Sequence, residues 1–234
     1  MRRIGFSTGA LARGDFRTAL EVLRARRVEA VELSALRMEE LEPLLSALPT
    51  LDLSDFSFVS IHAPSRFTPR QETLVVQSLL SVKERGYPVV VHPDVIFVPE
   101  KWTALGESLF VENMDKRKPV GRTVRELKPF FHALPEARFC FDVGHARQVD
   151  PTMTEAVLLL QAFGDRVAEV HMSEVNTASR HDPISLNAVH AFASVMPGID
   201  PAVPIILESL IDAGQSDVEA EMARARDTFA PLPV

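Results

Sequence analysis

Cysteine is almost missing from this 234-residue chain: Cys140 stands alone, so no internal disulfide can form. The opening MRRIGFSTGALARGDF carries basic residues but no sustained apolar segment of the signal-peptide kind, and with the lone thiol this predicts a cytoplasmic protein. No apolar stretch approaches the roughly 20 residues that a spanning helix needs, which argues against a membrane role. Basic residues are outnumbered, 25 against 32 acidic, for a net charge of −7. That balance argues against broad capture of anionic membrane or nucleic acid; a local basic rim keeps nucleic acid open as a partner without favouring it. Lysine is scarce: Lys83, Lys101, Lys116, Lys118 and Lys128 all fall in helix or loop candidates, which argues against a Schiff-base aldolase. No Gly-rich phosphate loop, low-complexity linker or charge block divides the chain, so residues 1–234 are read as one domain.

What is present is a repeated alternation. Short runs rich in Val, Ile, Leu and Phe stand at IGFS, AVELS, FVSIH, PVVVH, LFVEN, RFCFD, VAEVH and PIILE. Amphipathic helix candidates fill the intervals, among them FRTALEVLRAR, TVRELKPFFHAL and DVEAEMARARDTF. Eight strand–helix units predict an α/β fold, a single (β/α)8 TIM barrel rather than an open doubly wound sheet. Between VVVH and LFVEN there is room only for a loop and a short helix near PEKWTAL, so the fourth helical unit is expected to be shortened.

Catalytic groups of such barrels project from the C-terminal strand ends. Here six consecutive strand candidates end in His62, His92, Glu112, Asp142, His171 and Glu208. Strand alternation supports a common mouth: if His62 points inward, Val59 and Ile61 point outward, and Val89 and Val91 flank His92 in the same way. His145 lies three residues beyond Asp142, and His181 stands in the long segment MSEVNTASRHDPIS after the seventh strand. The eight candidate metal ligands are therefore His62, His92, Glu112, Asp142, His145, His171, His181 and Glu208. One ion takes about four to six protein ligands, so the set implies two or three divalent ions, zinc or manganese with magnesium as a further option, or one ion ringed by acid/base groups.

Other residues have plainer readings. A strand-end histidine alone is more often a hydrogen-bonded core or loop residue than a ligand, and His132 and His190 fall in helix candidates as ordinary surface residues. Glu32 and Glu169 share the inward parity of the ligands. Either could bind substrate or support a ligand, or each could pair with an inward arginine or ordered water. Cys140 reads as a small buried apolar residue. Arg66, Arg147 and Arg180 fall in loops expected to rim the mouth, where they could contact phosphate or carboxylate groups or form a solvated rim.

SIHAP, VVVHPD, FVENM, FDVGHA, EVHMSE, RHDPIS and IILES, taken in order, resemble the xylose-isomerase-like TIM-barrel superfamily, which contains the endonuclease IV family and many sugar isomerases and epimerases. The resemblance implies, from the epimerase side, a single divalent ion on Glu112, Asp142, His171 and Glu208, with two of the carboxylates moving a proton beside a carbonyl. From the endonuclease IV side it implies four added histidines, His62, His92, His145 and His181, and three zinc ions. The chain departs from the nuclease pattern at Ser179, where that pattern has an aspartate.

Three functions follow. The first is a polynuclear hydrolase of a phosphoester, with Glu112 and Glu208 as bridging or orienting catalytic carboxylates and DNA in doubt as substrate. The second is a mononuclear Mn- or Mg-dependent isomerase or epimerase of a small sugar, exchanging a proton through Glu112 and Glu208. The third is a metal-binding barrel that has lost catalysis.

Overall fold

Period-two alternation explains how the strands close. In β4 (Val89–Val91), Val89 and Val91 pack outward in the main core, while Val90 faces inward with Phe110 and Cys140. The same division holds for β3 (Phe58–His62), β5 (Leu109–Glu112) and β6 (Arg138–Asp142), where Val59, Ile61, Leu109, Val111, Phe139 and Phe141 join the outer core. With β1 (Ile4–Ser7), β2 (Ala30–Ser34), β7 (Val167–Met172) and β10 (Ile205–Leu207) these strands form a closed, all-parallel barrel in the order β1-β10-β7-β6-β5-β4-β3-β2. A two-stranded antiparallel hairpin, β8 (Glu174–Val175) and β9 (His181–Asp182), sits outside it. The computed structural model describes residues 2–12, 14–211 and 215–229. The remaining positions of the 1–234 range lie outside the described residues.

Helices α1 (Thr8–Leu11), α2 (Phe16–Ala25), α3 (Met38–Ala47), α4 (Glu72–Glu84), α5 (Pro99–Trp102), α6 (Val124–Ala133), α7 (Val143–Val149), α8 (Thr154–Phe163), α9 (Leu186–Phe192) and α10 (Gln215–Asp227) follow the strands. In α2 the side chain of Asp15 caps the backbone N–H groups of Arg17 and Thr18, and Ala19, Leu20 and Leu23 form the buried face. Thr123 caps α6 in the same way, and Leu127 and Phe131 are its buried residues. Among the described residues no helix is long and apolar enough to cross a membrane.

The fourth unit is short, as its sequence predicts: α5 has four residues and runs into a 3-10 segment, Thr103–Ser108. A buried carboxylate and one large ring hold it in place. Glu72 Oε1 accepts hydrogen bonds from Phe97 N (2.7 Å), Val98 N (2.9 Å) and Trp102 Nε1 (3.0 Å), while Lys101 Nζ lies 3.1 Å from Oε2. Burial opposes the charge on Glu72, but these donors outweigh it and hold its carboxyl below its usual range. Trp102 is fully buried, so Trp102→Ala is expected to destabilise the fold by about 3–5 kcal/mol in chemical denaturation, through both a cavity and a Glu72 that has lost a donor.

A candidate polynuclear metal centre

The strand ends converge on a cavity of about 930 Å³ whose lining includes His62, His92, Glu112, His145, His181 and Glu208. His62 and Glu112 end β3 and β5 and Asp142 ends β6, whereas His92 and Glu208 stand one residue beyond β4 and β10 and His171 is the penultimate residue of β7. These offsets leave the inward parity intact. Glu112 lies at the hub: its carboxylate is 3.3 Å from His62 Nε2, 3.2 Å from His92 Nε2, 3.3 Å from His145 Nδ1 and 3.5 Å from His171 Nδ1.

The DVGHA segment shows how local structure delivers ligands. Asp142 is the N-cap of α7, and its Oδ1 accepts from His145 N at 2.6 Å, so one carboxylate oxygen starts the helix that carries the histidine. Its other oxygen, Oδ2, is buried without a hydrogen-bond partner and lies 3.2 Å from His145 Nδ1. Asn113 fixes this corner from the neighbouring strand, donating Nδ2–H to the Asp142 carbonyl and accepting from Asp142 N, both at 2.8 Å. Gly144 lets α7 press against the end of β7; a Cβ there would lie 2.3 Å from the Ser173 carbonyl oxygen.

Buried atoms without hydrogen-bond partners are costly, and several of those in this protein gather at the strand-end mouth. Asp142 Oδ2, His145 Nε2, His171 Nδ1 and His92 Nδ1 are all orphaned in the protein alone. Ligand atoms close enough to share an ion form four overlapping sets: His62, His92 and Glu112; Glu112, Asp142, His171 and Glu208; Asp142, His145 and His181; and, deeper in the barrel, Glu32, Glu169 and His171. Imidazole and carboxylate donors in such sets suit zinc or manganese, so the residues fit divalent metal.

In the protein alone the acidic groups of the mouth draw protons onto two of the histidines. Burial opposes the charged form of His62 and His145, but Glu32 and Glu112 lift His62 to about 9, and Asp142 with Glu112 lifts His145 to about 10. For His92 burial wins over Glu112 and lowers the imidazole to about 4. Burial, aided by the charge of Glu112, raises Asp142 to about 6, and burial likewise raises Glu208. Glu112 is held well below its ordinary range, since His92 and His171 overcome its burial.

The candidate substrate-binding residues Glu32, Arg66, Arg147 and Arg180 take different positions relative to the cavity. Glu32 is fully buried and does not line the cavity; its carboxylate lies 3.2 Å from Nε2 of the candidate ligand His171. Arg147 is paired with Glu174 at 2.8 Å, and neither it nor the exposed Arg180 is among the lining residues. Arg66 does line the cavity, with Arg37, Arg117 and Lys118. Sequence reasoning misses Asp115 and Asp94. Asp115 is buried 3.9 Å from His145 Nε2 and held by the Arg117 guanidinium at 2.8 Å; Asp94 is paired with Lys118 at 2.9 Å. A weak signal for the first exists, an aspartate three residues beyond Glu112 and followed by a basic cluster. Cys140 is buried, and burial pushes its thiol well above its usual range, as an unreactive core residue requires.

No protein-family model and no curated protein matches the chain. Among solved structures it is similar to endonuclease IV from Thermus thermophilus, at 20% identity over 97% of this chain and 98% of that one, with a TM-score of 0.62. A truncated 3-deoxy-D-arabino-heptulosonate 7-phosphate synthase from Thermotoga maritima is far more distant, at 12% identity, 67% and 71% coverage and a TM-score of 0.32. The chain shares the barrel fold of that endonuclease IV across nearly its whole length.

Proposed function

We propose that this protein is a metal-dependent hydrolase of a compact phosphoester, using two or three zinc or manganese ions. One observation carries the reading: of the four candidate ligand sets, the three nearest the mouth overlap at Glu112 and Asp142, so these two carboxylates would be shared between neighbouring ions. Bound divalent ions supply Lewis acidity, stabilising charge on phosphoryl oxygens and making water a stronger acid. Glu208, at the cavity wall and 3.3 Å from His181 Nδ1, is the chain's proton carrier in this reading. It takes a proton from the attacking water as the new P–O bond forms, then returns it to the leaving oxygen as the old bond breaks. Arg66 on the lining adds positive charge for an anionic substrate, and the cavity volume suits a small molecule. A nucleic-acid duplex is disfavoured by the net charge of −7.

A second reading rests on its own observation: Glu112, Asp142, His171 and Glu208 already make a four-ligand set for one ion. A sugar isomerase or epimerase would use that set alone, with Glu112 and Glu208 exchanging the proton. The two readings separate in one assay series on metal-loaded protein. Turnover of a phosphomonoester or phosphodiester is the expected result; deuterium entering sugar substrates from heavy water, with no phosphoester turnover, would transfer the assignment to the isomerase.

A further inference from the structure

Beneath the candidate metal centre lies a second polar layer with no access to solvent. Glu32, Glu169, His171, Ser60 and Ser34 are all buried in the barrel interior. Glu169 and His171 share one face of β7, and Glu32 reaches them from β2 across the barrel. His171 Nε2 is 3.2 Å from Glu32 Oε2 and 3.3 Å from Glu169 Oε1. The serines hold these carboxylates: Ser60 Oγ donates to Glu169 Oε1 at 2.9 Å, and Ser34 Oγ, itself 2.6 Å from Ser7 Oγ, donates to Glu32 Oε1 at 3.3 Å.

The orientation of His171 differs from that of its neighbours. His62 Nδ1 faces the Ala63 carbonyl at 2.7 Å and His145 Nδ1 faces the Asn113 carbonyl at 2.9 Å, so a backbone acceptor stands at Nδ1 in each and Nε2 is the atom each would offer to metal. In His171 the ring is reversed. Its Nε2 points at the two carboxylates, and its Nδ1, without a hydrogen-bond partner, lies 3.5 Å from both Glu112 Oε1 and Glu208 Oε1.

We propose that Glu32 and Glu169 are positioning residues: Glu169 accepts Nε2–H of His171 and the Glu32 carboxylate, 3.2 Å from the same nitrogen but not hydrogen-bonded to it, adds negative charge there, so that the pair favours the Nε2–H tautomer and commits Nδ1 as the atom that His171 offers to metal. Carboxylates behind a ligand histidine fix its ring and raise its basicity, and losing such support costs about 10- to 100-fold in metal affinity. The inference rests on the metal-centre reading above, and its test separates the two.

Zinc is titrated into wild type and into Glu32→Gln/Glu169→Gln, with histidine 15N shifts recorded for the wild-type zinc form. The inference expects wild type to bind zinc with His171 protonated at Nε2 and metal-bound at Nδ1. It expects the double variant, folded by circular dichroism, to bind its zinc about 10- to 100-fold more weakly. Zinc on Nε2 in wild type, or a folded double variant with unchanged affinity, would overturn the inference and leave the metal centre standing. Failure of wild type to bind zinc at all would overturn the metal centre itself. Because the wild-type 15N measurement needs no variant, the assignment stays testable if the double variant does not fold, and Ser60→Ala offers a milder perturbation with a smaller loss of affinity expected.

Discussion

Glu112→Ala is expected to reduce bound metal to at most one ion per chain and to lower kcat/KM on a phosphoester by about a thousandfold or more. The size of the effect follows from position. Nitrogens of His62, His92, His145 and His171 all lie 3.2 to 3.5 Å from its two oxygens, and they come from β3, from the residue after β4, from α7 and from β7. Removing the carboxylate therefore unlinks four elements at once. In the chelated protein the same change leaves buried imidazoles facing each other without their shared counter-charge, a loss expected to cost about 3–5 kcal/mol in urea denaturation. A variant that kept its full metal complement would show that Glu112 does not bridge.

The second large effect is in pH dependence, and its sign differs between the metal-free and metal-loaded protein. In the metal-free protein His62 and His145 sit at about 9 and about 10 against an ordinary 6.5. The folded state holds those protons more tightly than the unfolded chain. Their stabilisation is complete below an ordinary imidazole pKa and drains away as pH climbs through 9 and 10. Glu112, held below its ordinary 4.5, contributes stability above that value and loses it as pH falls. His92 and Asp142 each oppose their own kind: His92, at about 4, adds stability as pH rises from about 4 to 6.5, against His62 and His145, whereas Asp142, raised from 3.8 to about 6, loses stability as pH rises over that interval, against Glu112. Metal, by contrast, needs neutral imidazole, so its binding releases protons and strengthens as pH rises. The gap in Tm between zinc-saturated and EDTA-treated protein should therefore widen steadily from about pH 6 to about pH 9 in differential scanning fluorimetry. A gap that is constant or shrinks over that range would mean that the histidines are not the ligands.

Much of this centre is legible in the sequence because a strand has period two. Once His62 is read as inward, Ser60 is inward and Ile61 outward without further information, and the same parity links Glu169 to His171 and Glu112 to Phe110. The shortened fourth unit is legible for a similar reason, since chain length alone limits what fits between VVVH and LFVEN. What the sequence hides depends on tertiary packing. Helix α7 is only seven residues long and starts with four buried ones, so it lacks the amphipathic period that marks the outer helices. The β8–β9 hairpin is hidden in a segment that reads as loop, its turn closed by Asn176 Oδ1 accepting from Ala178 N and Arg180 N. Glu32 has the right parity, but its depth relative to His171 is set by the stagger between β2 and β7, which no local pattern encodes. Direction is open for the rim arginines for the same reason, since loop membership does not fix it: Arg66 lines the cavity while Arg147 turns to Glu174.

The central claim is that the overlapping ligand sets hold more than one ion, and the direct test is elemental analysis of protein purified without chelator or metal-affinity resin. The account predicts two or three zinc or manganese ions per chain. A single ion per chain would contradict the polynuclear hydrolase and leave the four-ligand set of Glu112, Asp142, His171 and Glu208 as the whole site.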